Sequence, residues 1–244
     1  MTIQIGGSTS IKSPVVTQKP NQTGLQQAPN VLSTLLGNIT DDQIQNTYYV
    51  GLEVDLDPKL KEKLLAKIET HQGIEPKGIL KETINAKRGE KLHLTLIRPK
   101  EKDLLKEVGN HPHILREELE NLGEKIQSIE TDGVGKLASS DGRIAYFLVL
   151  KEEIVCALVS FRQRLKDRLE EESKRSLEIE LEPYCPHITI GFIGGDVHVD
   201  PKKGEKKEKD QILTDSIVKS GIDLPSLKLP MTTLDLPQRK QVKP

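Results

Sequence analysis

The chain has 244 residues, 30% of them charged, and a net charge of −1. That balance provides no global cationic field, which excludes a protein that binds by coating long nucleic acid; a small nucleotide or an RNA end needs only a local pair of cations. Two cysteines, Cys156 and Cys185, exclude a disulfide framework, and the absence of tryptophan leaves Leu, Ile and Val to build the core.

In chain order, residues 1–40 come first. They carry only two charges, Lys12 and Lys19, and are dominated by Ser, Thr, Gln, Asn, Gly and Pro. Such a stretch buries too little apolar surface to offset its ordering entropy, so it is predicted to be a flexible polar tail. Within it, Val31, Leu32, Leu35, Leu36 and Ile39 fall at helical spacing behind Asn30. They predict a short helix over 30–39 that docks on the fold, or else recruits a protein partner. The beginning of the chain lacks the basic and apolar regions of a secretory signal, and no apolar run reaches membrane-spanning length. A cytoplasmic protein with no membrane contact is therefore expected.

The ordered domain is expected over 47–236, followed by a tail at 237–244. Tyr48, Val50, Leu52 and Val54 alternate with Tyr49, Gly51, Glu53 and Asp55, the pattern of a strand. Asp57 and Pro58 supply an N-cap and a first-turn proline for a helix lined by Leu60, Leu64, Leu65 and Ile68. Residues 72–90 read as a loop and 91–98 as a strand. Leu115, Leu119, Leu122, Ile126 and Ile129 make an apolar stripe, predicting a helix over 114–130. A hairpin over 134–150 turns at Asp141-Gly142, and a long helix follows at 152–174. Leu177, Ile179 and Leu181 alternate with glutamates as a half-exposed strand, and another strand spans 186–193. Pro201 to Asp210 is a charged loop, and 211–236 adds one or two edge strands.

Two of these strands share a motif, His93-Leu94-Thr95-Leu96 and His187-Ile188-Thr189-Ile190. On a strand, side chains two apart share a face. Each copy therefore offers one imidazole and one hydroxyl on one side and two aliphatics on the other. Chance supplies roughly 0.05 such tetrapeptides in a chain of this composition, so the recurrence is the signal. A lone strand histidine is ordinarily a half-buried, hydrogen-bonded residue. Two imidazoles facing each other across a cleft are instead a set for acid–base chemistry on a phosphate. Neither motif adjoins a ligand spacing typical of a metal site, so no metal and no cofactor are expected.

Other candidates are weaker. Tyr184 is placed to stack on a base or to pack on the core, and Arg98 and Arg143 are candidate phosphate contacts, as is Lys100. His111-Pro112-His113 reads as a surface loop rather than a metal clip. His71 suits a helix C-terminus. His198 has no evident partner, and Cys185 reads as inert packing.

With its paired His-x-Thr-x motifs and Pro186 directly before the second, the sequence resembles the 2H phosphoesterase superfamily over roughly residues 47–195. The resemblance implies an α+β, bilobal fold in which two antiparallel sheets flank a central cleft with helices outside. It implies His93 and His187 as the catalytic pair and Thr95 and Thr189 as phosphate-binding residues. It also implies metal-independent hydrolysis of a cyclic phosphate or a 2′–5′-type phosphodiester in a nucleotide or short RNA. A non-catalytic nucleotide-binding module, or a scaffold that uses the same cleft, is the alternative.

Overall fold

The computed structural model describes residues 30–71, 91–138, 142–173, 179–181, 184–194 and 226–239. The predicted loop at 72–90, Asp141, His198 and the charged run 201–210 lie outside them, as do residues 1–29.

Helix α1 (Val31–Leu36) is capped by Asn30, whose side chain accepts the Ser33 amide and donates to the Glu120 carbonyl. Helix α2 (Asp41–Gln45) opens on a reciprocal Thr40–Gln43 capping box. Strand β1 is Val50–Val54. Helix α3 (Pro58–His71) has the expected cap, with the Leu60 amide on the Asp57 carboxylate at 2.9 Å. Leu64, Leu65 and Ile68 are buried there, but Leu60, in the first turn, is 37% exposed. Strand β2 is Leu92–Ile97. Two helices follow, α4 (Lys102–Asn110) and α5 (Pro112–Lys125). The His111-Pro112-His113 sequence is the junction between them, not a loop. Strands β3 (Ile129–Ala138) and β4 (Ile144–Leu150) form the hairpin, with Gly142 in the left-handed region at φ 88°. Helix α6 is Glu152–Ser173, and β5 is His187–Ile193. The predicted strand near 177–181 is absent at 179–181, which have no strand pairing. The chain ends its described part with β6 (Lys228–Leu229) and β7 (Met231–Asp235).

The strands form one sheet in the order β6-β3-β4-β5-β2-β1-β7, and every neighbouring pair is antiparallel. β6 and β7 are separated in sequence by Pro230 alone, yet they form opposite ends of that order. The sheet therefore curls until its two edges are made by one stretch, 228–235, giving a nearly closed barrel. Proline, with no amide hydrogen, suits this changeover. Its carbonyl still accepts the Asp55 amide at 3.0 Å. The α+β class stands, but the two facing sheets do not. Leu94 of β2 pairs directly with Ile188 of β5, so the ladders of the two halves run into one another.

The apolar face of the sheet and the inner stripes of the helices share one core that includes Leu94, Leu96, Ile188, Leu148, Leu119, Leu158, Phe161 and Leu165. α5 is fastened to α6 by buried Glu118, which meets Arg164 at 2.8 Å and Arg168 at 3.2 Å. α1 sits close on α5 at Gly123, where a β carbon would stand 2.0 Å from Asn30 Oδ1 and 2.9 Å from Leu32 Cβ. Overpacking of this kind costs about 1–3 kcal/mol. That exceeds the up to ~1 kcal/mol that alanine gains over glycine inside a helix. G123A should therefore lower the midpoint of a urea melt; an unchanged midpoint would show that α1 does not dock there.

Candidate active site

The two motif strands are neighbours at the middle of the sheet. In β2, Leu92, Leu94 and Leu96 are buried while His93 and Thr95 are half-buried on the other face. In β5, Ile188 and Ile190 are buried, His187 is half-buried and Thr189 is 7% exposed. The register is fixed by Leu94 opposite Ile188. Carried one residue either way, that antiparallel register sets His93 beside Thr189 and Thr95 beside His187. The motifs are thus related by a local two-fold axis between Leu94 and Ile188. The imidazoles occupy a diagonal, and diagonal neighbours across an antiparallel pair stand about 7–8 Å apart.

Each imidazole has an aromatic ring at its edge. Tyr49 meets His93 edge-on, with centroids 6.0 Å apart and planes at 84°. Phe147 meets His187 at 5.6 Å and 65°. Both rings lie over glycines. A β carbon at Gly51 would be 2.3 Å from the Tyr49 hydroxyl, and one at Gly135 would be 2.1 Å from the Phe147 ring. Gly51 pairs with Thr95, and Gly135 pairs with Phe147, which itself pairs with Thr189. The glycines leave the space through which the rings reach the motif side chains.

His187 is oriented from the backbone. Its Nδ1 lies 2.8 Å from the Cys185 carbonyl. A carbonyl only accepts, so Nδ1 carries the hydrogen and Nε2 is the nitrogen left for proton transfer in the neutral ring. On the other side, Glu53 is opposite His93 in the β1–β2 register. Glu53 also holds Lys91, whose Nζ is 2.9 and 2.8 Å from the two carboxylate oxygens. The hydrogen bond to Glu53 pushes the Lys91 ammonium up from its ordinary pKa. Burial pushes the nearby Asp235 carboxyl up, and the Glu53 charge adds to that. The His93 half of the site is thus bordered by charged groups, while the His187 half is bordered by Phe147 and Val149.

The weaker candidates fall elsewhere. Tyr184 donates its hydroxyl to the Thr95 carbonyl at 2.6 Å, and its ring lies 4.3 Å beneath the Arg162 guanidinium. It ties the approach to β5 onto β2. Arg98 turns toward Glu101, with its amide on that carboxylate at 2.9 Å and its Nε at 3.6 Å. Arg143 packs beside Gly194, just past the end of β5. That is five residues beyond Thr189 (194 − 189), about 17 Å along a strand. Among the described residues, no three His, Cys, Asp or Glu side chains group closely enough to hold a metal ion. In the same residues, no helix is long and apolar enough to cross a membrane.

The sequence reading missed Tyr49, Phe147, Glu53 and Lys91. Alternation alone placed Tyr49, Gly51 and Glu53 on one face of β1. Which strand they would face required the register.

A family model described as Swiss Army Knife, 2H phosphoesterase domain, matches residues 52–198, a span that contains both motif strands. No curated protein and no solved structure matches the chain.

Proposed function

The chain belongs to the 2H phosphoesterase superfamily, and we propose that it hydrolyses a cyclic phosphate or a 2′–5′-type phosphodiester in a nucleotide or short RNA. His93 and His187 are the acid–base pair, and Thr95 and Thr189 bind the phosphate. The observation that carries this reading is the direct pairing of the motif strands at Leu94 and Ile188, with both imidazoles on one face.

Water attacks phosphorus, and its proton passes to one imidazole. The bond from phosphorus to the ribose oxygen breaks, and the second imidazole protonates the departing oxygen. In-line displacement needs these two groups on opposite sides of phosphorus, which a diagonal pair provides. The Thr95 and Thr189 hydroxyls donate to the non-bridging oxygens, where negative charge grows in the transition state. The imidazoles finish with exchanged protonation and return to their starting states through solvent. Held by the Cys185 carbonyl, His187 works through Nε2 in either direction. Two proton-transfer groups and two hydroxyl donors complete this reaction without a Lewis acid.

The test is incubation of the full chain with a 2′,3′-cyclic mononucleotide, an RNA ending in a 2′,3′-cyclic phosphate, a 2′–5′ adenylate dimer and a cyclic dinucleotide, with EDTA present. At least one should be opened or cleaved, at a rate EDTA leaves unchanged. No turnover of any, with intact nucleotide bound in calorimetry, would replace hydrolysis by a nucleotide-binding role.

A further inference from the structure

We propose that Tyr49 is a positioning residue of this site, acting through Thr95, and that Gly51 is glycine so that Tyr49 can reach it. The proposal rests on the phosphate-binding role assigned to Thr95 above.

Tyr49 Oη and Thr95 Oγ1 are 3.3 Å apart, and either can be the donor in the free protein. A bound phosphate removes that freedom. Its non-bridging oxygens carry no hydrogen, so Thr95 must donate to them. Its own oxygen is then left to accept, and the tyrosine hydroxyl supplies the hydrogen. Tyr49 thereby fixes the rotation of a hydroxyl that would otherwise point freely. A donor that is itself accepting a hydrogen bond is also polarised and donates more strongly. The same ring braces the His93 imidazole edge-on at 6.0 Å.

The surroundings hold Tyr49 in this pose. Its backbone is clamped by fully buried Thr47, whose hydroxyl lies 2.6 Å from the Tyr49 carbonyl and 3.1 Å from the Pro237 carbonyl. The Tyr49 amide lies 3.3 Å from the same hydroxyl oxygen. In front, the ring crosses Gly51, where a β carbon would lie 2.3 to 2.6 Å from the hydroxyl and ring carbons. The colliding atoms are the far end of the ring itself, so a β carbon there is accommodated by moving the Tyr49 ring away from Thr95. Gly51 pairs with Thr95 in the ladder, so the absent side chain is the one that would otherwise stand between Tyr49 and the phosphate-binding hydroxyl.

The experiment is a double-mutant cycle on whichever substrate the wild type turns over, with Y49F, T95V and Y49F/T95V. Y49F keeps the ring and removes the one hydroxyl. It should lower kcat about 3- to 10-fold, the worth of one hydrogen bond, with KM changed less. In the T95V background the same change should have no further effect. The positions of the two limbs of the pH profile should not move in Y49F, since the tyrosine carries no proton in the reaction. G51A, checked for folding by its melting midpoint, should reproduce the loss of Y49F. Additive losses in the cycle, or a Y49F rate equal to wild type, would overturn the proposal. Should the wild type turn over no substrate, the hydrolysis reading falls, and the same four proteins are titrated with a nucleoside 2′-monophosphate. A Y49F penalty that disappears in the T95V background supports the assignment, and an independent or absent penalty overturns it.

Discussion

Alanine in place of His93, and separately in place of His187, should lower kcat by about 10²–10⁴-fold each, the range for losing a general acid or base. The two losses should not add. Once one proton-transfer partner is gone, the remaining imidazole lacks the group on the far side of phosphorus, so the double variant should be little slower than the worse single one. The rate of the intact enzyme should rise and fall with pH. On the acid limb the base is protonated and cannot take the proton of water; on the alkaline limb the acid has lost the proton it must give to the leaving oxygen. Each single variant should lose one limb of that profile. Replacing Thr95 or Thr189 by valine keeps the shape and removes one donor to the charged oxygens, for an expected loss of about 10²–10³-fold. Steady-state rates across pH on the wild type and these five variants check this. Full activity in either histidine variant would remove that residue from the chemistry.

The faces of the motif strands were legible because alternation needs only local sequence, and the structure places His93, Thr95, His187 and Thr189 half-buried or buried opposite Leu94, Leu96, Ile188 and Ile190. What local sequence could not supply was the pairing of Leu94 with Ile188, 94 residues away. Without it, two half-sheets and one curled sheet are equally consistent with the strand pattern. Helix α4 was hidden for a different reason. Leu104, Leu105 and Val108 are its buried side, but they sit in a charged stretch and Glu101 makes no side-chain cap. The opposite error occurred in α5. Ile126 and Ile129 continue its 3.6-residue stripe, yet Ile126 is already extended at the cap and Ile129 opens β3. A helical period and a strand placed after a bend happened to coincide. Leu60 fits the stripe of α3 but lies in its first turn, ahead of the packed part. Arg162 was visible and unread: it shares the inner side of α6 with Leu158, Phe161 and Leu165. A charge at that position signals a buried partner.

That partner sets the largest expected stability loss, in R162M. Arg162 is 2% exposed. It donates at 2.9 Å to the Leu96 carbonyl and at 2.9 Å to Glu101, and its second nitrogen pairs with the other Glu101 oxygen. It also lies over Tyr184, whose hydroxyl holds the Thr95 carbonyl. One guanidinium thus fixes the end of the first motif strand and the approach to the second. Burial alone would push the Glu101 carboxyl up; hydrogen bonding and charge from Arg162, with the Arg98 amide, outweigh it and hold the group below its ordinary value. A depressed carboxylate contributes stability above its unfolded pKa, about 4.3, and that contribution is lost as pH falls through the lower folded value. Removing Arg162 takes the bidentate partner from a buried charge and leaves it only Arg98, a loss of about 3–5 kcal/mol near neutral pH. The pH dependence then changes. With only Arg98 left to oppose burial, the folded Glu101 pKa rises relative to the wild type, so the deficit of R162M should narrow as pH is lowered from neutrality. R162M/E101Q should recover part of the loss by removing the stranded charge. Urea melts of the three proteins at pH 7 and pH 5 read all of this. Parallel pH dependences in wild type and R162M would show that Glu101 is not held by Arg162.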